Sequence, residues 1–351
     1  MDVYSIIKLI CGLTFFLFGM NIMSSNLEKM AGGRLESSLK RVTSKPILSL
    51  VLGALITIAV QSSSAVTVML VGLVNSGIML FSQTLFIIFG ANIGTTLTSW
   101  ILALSGLESE SLALNMLKPE NFSPILALIG VIMLMFGKNE KKKSIGTVFA
   151  GFSVLMYGMV FMADSVKPLA QSEQFGALLV RFNNPVFGVL IGTLVTAVIQ
   201  SSAASIGILQ ALSLTGSVTC GMAIPIVMGQ NIGTCATSLL SAIGASPKAK
   251  RVAAVHFSIK LIGTVICLSI YTAVSKIFTI ELFSSPVSAW GIAVIHSAFN
   301  ILITLILLPC TKLLVRLTEK LIPDRTKSSP VEKHRFTLDE RLLQSPSVAG
   351  N

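Results

Sequence analysis

The sequence predicts an all-α polytopic membrane protein built from two inverted repeats, each with a re-entrant helical hairpin and a broken transmembrane helix. Of the 351 residues, 53% are hydrophobic and 12% are charged, and the mean hydropathy is +0.83. Soluble domains carry roughly 25% charged residues. Apolar stretches of about 20 residues, enough to cross a bilayer core, recur along the chain. Polar clusters inside these stretches return at a fixed offset of 139 residues.

Each half of the chain carries two of these polar clusters. Gln-Ser-Ser-Ser at 61–64 returns as Gln-Ser-Ser-Ala at 200–203. Gly-Ala-Asn-Ile-Gly-Thr at 90–95 returns as Gly-Gln-Asn-Ile-Gly-Thr at 229–234. Two homologous halves that interrupt apolar segments with polar residues at corresponding positions are typical of secondary transporters.

Loop charges predict the topology of the first repeat. Basic residues dominate 28–45 and 138–143, whereas acidic residues dominate 105–122. The positive-inside rule therefore places the first two segments in the cytoplasm and the third outside. An odd number of membrane crossings must therefore lie between the cytoplasmic segment 28–45 and the external segment 105–122. We predict a re-entrant hairpin over 47–76, since each arm would reach only about 21 Å, and then a broken spanning helix over 79–104.

The first repeat, 1–143, thus opens with a span at 4–23 and closes with one at 123–137. The second repeat, 144–323, follows the same plan and adds a final span. Its predicted segments are a span at 145–163, a hairpin at 186–216, a broken helix at 219–244, and spans at 252–275 and 287–311. Three crossings separate corresponding points, so the repeats should be inverted. A polar cytoplasmic tail, 324–351, ends the chain.

The hairpin tips have the chemistry of an anion site. A helix that begins in mid-membrane presents unpaired backbone N–H groups and the positive end of its dipole. Serine hydroxyls donate hydrogen bonds, and a glutamine amide both donates and accepts them. Two such tips that face each other could enclose a small tetrahedral oxyanion.

The Asn-Ile-Gly-Thr segments suit a hard cation such as Na⁺. We expect their backbone to be unwound, with the flanking glycines at 90, 94, 229 and 233 permitting the interruption. Neither hairpin contains Asp, Glu, Lys, Arg or His, so helix dipoles and co-bound cations would balance the charge of an anion. Carbonyl groups would ligate the cation together with the side chains of Asn92, Thr95, Asn231 and Thr234.

These paired motifs resemble the type II sodium-dependent phosphate cotransporters, in particular their bacterial branch. The resemblance covers nearly the whole chain and implies inorganic phosphate as substrate, co-transported Na⁺ and no other cofactor. The implied phosphate contacts are Gln61, Ser62, Ser63, Ser64, Gln200, Ser201 and Ser202. The implied sodium contacts are Asn92, Thr95, Thr96, Asn231 and Thr234. The chain departs from the pattern at Ala203, which replaces a third serine, and at Cys235, which stands where the first repeat has Thr96.

Composition excludes several classes of protein. The net charge of +11 does not indicate nucleic-acid binding, because Lys and Arg cluster between apolar segments without interleaved aromatic residues. We interpret them as topology and lipid-headgroup signals of a protein in the cell membrane. No Gly-x-Ser-x-Gly motif surrounds the repeated serines and neither hairpin holds a general base, so we predict no enzyme.

The sequence leaves more than one function open. The leading interpretation is a sodium-coupled symporter that imports phosphate by alternating access. Another small oxyanion or a carboxylate would suit the same architecture, and a membrane phosphate sensor is a different class. Residues 337–349 resemble the linker to a cytoplasmic PhoU-like regulatory domain, which we expect to be absent from this chain or removed. His256 and His296 lie inside apolar spans, where we expect them to couple helices. The sequence does not decide whether the chain forms a homo-oligomer.

Overall fold

The computed structural model describes residues 3–42, 45–104, 119–166 and 184–323, and within these ranges the regular elements are all helices. The predicted all-α fold is confirmed there. The helices of the first half are α1 (Val3–Val42), α2 (Pro46–Val60), α3 (Ser63–Asn75), α4 (Phe81–Gly94), α5 (Thr96–Ala103) and α6 (Pro119–Phe136). In the second half they are α7 (Glu140–Val166), α8 (Pro185–Ile199), α9 (Ser202–Ser213), α10 (Cys220–Gly233), α11 (Cys235–Ser241), α12 (Pro247–Ile277), α13 (Glu281–Ser284), α14 (Ala289–Leu307) and α15 (Thr311–Leu321).

Six helical segments of the described chain are long and apolar enough to cross a membrane. They are α1, the α4–α5 segment, α7, the α10–α11 segment, α12 and α14. The structure thus has the helices of a multi-pass membrane protein. The arms of the two predicted hairpins and α6 are shorter apolar helices. The first span extends beyond its predicted end, since α1 continues to Val42 through most of the basic segment.

The helix–turn–helix at each predicted hairpin is present. The first arm ends at Gln61 and the corresponding arm of the second half at Gln200, and both glutamines adopt the left-handed conformation with φ of 58°. A non-glycine residue rarely adopts this conformation. The chain reverses at these two positions, and α3 and α9 begin two residues later. The turns place both Gln-Ser-Ser clusters at hairpin tips.

The broken helices differ from the prediction. α4 and α10 are each interrupted at a single threonine, but φ and ψ are −59° and −26° at Thr95 and −56° and −26° at Thr234. These are helical values. The backbone N–H of each threonine still donates to the carbonyl four residues earlier, at Ala91 and Gln230. The expectation of unwound backbone is wrong in this structure, because the helical hydrogen bonds continue through the interruption.

Close helix packing, not backbone interruption, explains the neighbouring glycines. A Cβ added to Gly90 would overlap the carbonyl oxygen of Leu50 in α2, and one added to Gly229 would overlap that of Val189 in α8. Small residues let membrane helices approach backbone to backbone. The first arm of each hairpin is therefore packed tightly against the following broken helix in both halves.

The first helices of the two halves cross in an antiparallel arrangement through equivalent glycines. A Cβ on Gly12 would lie 2.9 Å from the carbonyl oxygen of Gly158, and one on Gly19 would lie 2.5 Å from that of Gly151. Gly151 and Gly158 are the counterparts of Gly12 and Gly19 at the 139-residue offset. α1 and α7 thus contact each other reciprocally, as two copies related by a two-fold axis would.

Most of the predicted external segment 105–122 and the predicted tail 324–351 lie outside the described residues. The regulatory linker predicted at 337–349 lies outside them as well. The domain boundaries at 143 and 323 and the orientation of the repeats in a membrane remain predictions.

Candidate transport site

The two hairpin tips meet at one cavity of about 390 Å³. Residues of α1 complete its wall, and none of its lining side chains is charged. The tips lie far apart in sequence, so only the packing of the two halves brings them together. The cavity is lined by all seven residues predicted to contact phosphate, Gln61, Ser62, Ser63, Ser64, Gln200, Ser201 and Ser202, together with Leu17, Met20, Asn21, Ser24, Ile199 and Ala203.

Each tip presents a helix N-terminus to this cavity. The side chain of Ser62 caps α3 by accepting a hydrogen bond from the Ala65 N–H (3.1 Å), and that of Ser201 caps α9 by accepting from the Ala204 N–H (3.2 Å). A helix start leaves its first N–H groups without intrahelical partners, and each cap satisfies one. The first two N–H groups of each helix, at residues 63 and 64 and at residues 202 and 203, belong to residues that line the cavity. The cavity therefore lies at two positive helix ends.

Gln61 uses its side chain within the protein. Its amide nitrogen donates to the carbonyl oxygen of Ile58 (2.8 Å), and its amide oxygen accepts from the Thr98 hydroxyl in α5 (2.8 Å). These two bonds attach the first tip to the broken helix beside it. Gln200, the counterpart, is exposed, and Thr237, the counterpart of Thr98, points to the carbonyl oxygen of Thr234 (3.4 Å) instead. The two tips are held differently.

A second difference lies at the third serine. The Ser64 hydroxyl donates to the carbonyl oxygen of Thr234 (3.4 Å), which joins the tip of the first half to the interruption in the second half. Ala203, the counterpart of Ser64, has no hydroxyl and cannot make the reciprocal bond. The cavity between the tips and Thr234, one of the predicted sodium residues of the second half, are therefore neighbours.

The predicted sodium residues are largely enclosed. The hydroxyls of Thr96 and Thr234 donate to the carbonyl oxygens of Ile93 (2.7 Å) and Gln230 (2.9 Å). A hydroxyl that donates retains its acceptor lone pairs. Thr95 is half-buried. Asn92 is buried, and its Nδ2 has no hydrogen-bond partner in the described structure.

Asn231 makes a contact that the sequence did not predict. Its Nδ2 donates to the carbonyl oxygen of Val227 (3.0 Å), and its Oδ1 accepts from the Nζ of Lys260 (2.7 Å). The same Nζ donates to Asn300 Oδ1 (2.8 Å). The sequence signal was a lysine inside an apolar span, which is uncommon and often functional.

The two histidines couple helices, as expected. His256 in α12 shares a hydrogen bond with the hydroxyl of Ser238 in α11 (3.1 Å), and His296 in α14 shares one with Ser99 in α5 (3.2 Å). Ser99 and Ser238 are counterparts at the 139-residue offset. Each histidine therefore bonds the equivalent serine in the broken helix of one half.

Sequence reasoning missed a pair of buried threonines. Thr57 and Thr196 lie in the last turn before each tip glutamine, and the backbone N–H of that glutamine donates to their carbonyl oxygens. Their hydroxyls are buried without a hydrogen-bond partner in the described structure. The signal was available, because threonine is retained at both positions of the repeat.

Two uncharged hairpin tips converge on one cavity inside a bundle of apolar helices, an arrangement that fits a transport protein. The sequence comparison gives the family. The chain belongs to the Na⁺/Pi-cotransporter family, whose model matches residues 15–164 and again 154–300. It is therefore a multi-pass membrane protein of a phosphate-transport family.

Individual relatives span bacteria and animals. The chain is 31% identical over 310 residues to "Uncharacterized protein YqeW" of Bacillus subtilis, covering 88% of this chain and 95% of that protein. It is 25% identical over 346 residues to "Putative inorganic phosphate export protein YjbB" of Salmonella typhimurium, covering 98% of this chain but only 61% of that protein. A 103-residue stretch is 41% identical to human "Sodium-dependent phosphate transport protein 2B", covering 28% of this chain and 15% of that protein. No solved structure matches the chain.

Proposed function

We propose that this protein is a sodium-coupled symporter that carries inorganic phosphate into the cell by alternating access. The observation that carries the proposal is the single cavity between the two hairpin tips. Family membership supports phosphate as the substrate. Binding at the tips, coupling to Na⁺ and the inward direction are the parts that we add.

The tips offer phosphate a set of donors without a fixed positive side chain. Ser62 accepts through its oxygen as a cap, so its hydroxyl hydrogen can still point to a ligand. The Ser201 hydroxyl donates to the Met20 sulfur (3.8 Å), a weak acceptor that an anion oxygen could replace. Ser63 and Ser202 follow as the first residues of α3 and α9 and contribute both N–H and hydroxyl groups. A tetrahedral anion has oxygens on all sides, so opposed helix N-termini can bind it from two directions.

Sodium coupling follows from the charge of this site. Two helix ends supply about one positive charge between them, which leaves a doubly charged phosphate only half compensated in a cavity lined by uncharged side chains. A Na⁺ bound nearby would raise the affinity for phosphate, and phosphate would raise the affinity for Na⁺ by the same factor. The predicted sodium residue Thr234 is in contact with the first tip through Ser64, which supports this coupling.

Alternating access requires a site that both sides of the membrane can reach. The antiparallel crossing of α1 and α7 supports an inverted relation between the repeats. Ion pairs at the two ends of this crossing, Lys8–Asp164 (3.7 Å) and Lys29–Glu140 (3.9 Å), have the same antiparallel sense. We propose that one hairpin enters from each side of the membrane, and that movement of hairpins and broken helices exposes the cavity to each side in turn.

A second candidate function is phosphate export. It is favoured by the name of the putative inorganic phosphate export protein YjbB, to which 98% of this chain aligns. The same site would serve both directions, since the net flux of a coupled transporter follows the combined gradients of its substrates. The cavity would also suit a different small oxyanion or a carboxylate, and a phosphate sensor would use it for binding without flux.

Reconstitution in proteoliposomes tests the proposal. We expect a Na⁺ gradient directed into the vesicles to drive accumulation of ³²P-phosphate, and choline in place of Na⁺ to abolish it. Uptake that is unchanged in choline would contradict sodium coupling. Loading phosphate and Na⁺ inside and measuring efflux tests export, and unlabelled sulfate or acetate as competitors test the choice of anion. Binding of phosphate without any flux would favour the sensor.

A further inference from the structure

Lys260 is a lysine that is enclosed in the helix bundle. It is only 2% exposed, and its two partners, Asn231 and Asn300, are 3% and 0% exposed. Both contacts are short hydrogen bonds from Nζ to neutral amide oxygens. Lysine has donors and no acceptor when charged, so amide oxygens are ligands of the kind that a bound cation also prefers. α10 and α14 thus supply two oxygen ligands for a cation, and α12 supplies the ammonium group that they bind.

The arrangement is asymmetric between the two halves. α12 carries a histidine followed four residues later by Lys260, and α14 carries a histidine followed four residues later by Asn300. Since the two histidines bond equivalent serines, Asn300 holds the position in α14 that Lys260 holds in α12. The first-half counterpart of Asn231 is Asn92, whose amide nitrogen has no partner in the described structure. Among the described residues, a lysine contacts the predicted sodium residue Asn231 of the second half, and none contacts Asn92.

We propose that Lys260 is a resident cation that occupies the position of a Na⁺ at Asn231, so that no transported Na⁺ binds at that residue. This inference rests on the proposed sodium coupling. An amide oxygen that accepts from an ammonium group at 2.7 Å cannot also ligate Na⁺ at ordinary distance without strong repulsion between the two cations. The chain therefore couples phosphate to one Na⁺ fewer than it would with a small neutral residue at 260.

Two variants of Lys260 separate the charge from the volume of its side chain. Lys260→Ala removes the charge and leaves room between Asn231 and Asn300, so we expect it to bind one more ²²Na⁺ per chain than the wild type. Lys260→Met removes the charge and keeps the volume, so it should bind no additional ion. Equal numbers of bound ²²Na⁺ in the wild type and Lys260→Ala, with both eluting as folded protein in size-exclusion chromatography, would overturn the proposal.

Asn231→Asp provides an independent test if the alanine variant does not fold. With Lys260 present, the new carboxylate should pair with the ammonium group and leave the apparent Na⁺ affinity close to that of the wild type. A gain in Na⁺ affinity of about tenfold or more would show that Na⁺ itself binds at Asn231 and would overturn the proposal. Phosphate uptake by the wild type that does not depend on Na⁺ would instead contradict the proposed function. The two outcomes can be told apart, because the ²²Na⁺ counts are measured at equilibrium without transport.

Discussion

At the scale of single residues, the two halves have diverged where they contact each other. Gln61 is fixed by Thr98, whereas Gln200 is exposed. Ser64 reaches across to the second half, and its counterpart Ala203 cannot. The sequence shows that the second half has Ala203 where the first half has Ser64. The hydrogen bond from Thr98 to Gln61 depends on how α5 packs beside the tip and could not be predicted.

Replacing Thr98 by valine should weaken phosphate binding. Removal of this hydroxyl leaves the Gln61 amide oxygen without its donor and loosens the first tip. A lost hydrogen bond of this kind costs about 0.5–1.5 kcal/mol, roughly a two- to tenfold rise in the apparent Kd for phosphate. Equilibrium binding of ³²P-phosphate in the presence of Na⁺ measures the effect.

Thr237→Val is the matched control for this change. Thr237 is the counterpart of Thr98 but has no bond to Gln200, so its replacement should alter the affinity for phosphate much less. Equal effects of the two substitutions would show that the hydrogen bond to Gln61 is not what distinguishes the halves.

At the scale of elements, the hairpins were predictable and the state of the broken helices was not. The clusters at 61–64 and 200–203 interrupt apolar runs whose arms are too short to span the membrane, and the turns occur there. The left-handed φ of the two glutamines could not be predicted, since a non-glycine residue rarely adopts it. The Asn-Ile-Gly-Thr segments looked like interruptions because they hold glycines. In the structure those glycines serve interhelical packing, and sequence alone does not distinguish a glycine needed for a close approach from one needed for backbone freedom.

Gly90→Ala should therefore destabilise the protein. The added methyl group would overlap the Leu50 carbonyl oxygen, and the backbones of α2 and α4 would have to separate. Overpacking of this kind costs typically about 1–3 kcal/mol. A lower midpoint of thermal unfolding in detergent is the expected result.

Gly72→Ala is the control on a neighbouring helix. Gly72 lies in α3 with no atom within 4 Å of an added Cβ, and alanine in a helix interior is favoured over glycine by roughly 0.5–1 kcal/mol. Its unfolding temperature should stay the same or rise. If Gly90→Ala is as stable as Gly72→Ala, the packing explanation is incorrect.

At the scale of the whole molecule, both hairpin tips line one cavity because the two halves pack against each other. The 139-residue offset predicted two equivalent halves, and loop charge predicted that they are inverted. The contact of α1 with α7 through Gly12, Gly19 and their counterparts supports that orientation. Which helices would meet at Lys260 was beyond the sequence, because residues 231, 260 and 300 belong to three separate helices and no periodicity relates them.

Inverted hairpins should be accessible from opposite sides of the membrane. In a variant without the five native cysteines, Ser76→Cys at the base of the first hairpin should be protected from an impermeant thiol reagent added to intact cells. Thr215→Cys at the base of the second should react. Labelling of both positions from the same side would exclude the inverted arrangement.

The account depends most on one claim, that both hairpin tips bind the same phosphate ion. Equilibrium binding of ³²P-phosphate to the purified protein in Na⁺ tests it, with Ser63→Ala and Ser202→Ala compared with Ser76→Ala, an exposed serine outside the cavity. We expect one phosphate per chain, and an affinity that falls at least about tenfold in each tip variant, because each loses a hydrogen bond to a charged ligand. The Ser76 variant should bind as the wild type does. Two phosphates per chain, or wild-type affinity in either tip variant, would contradict a shared site.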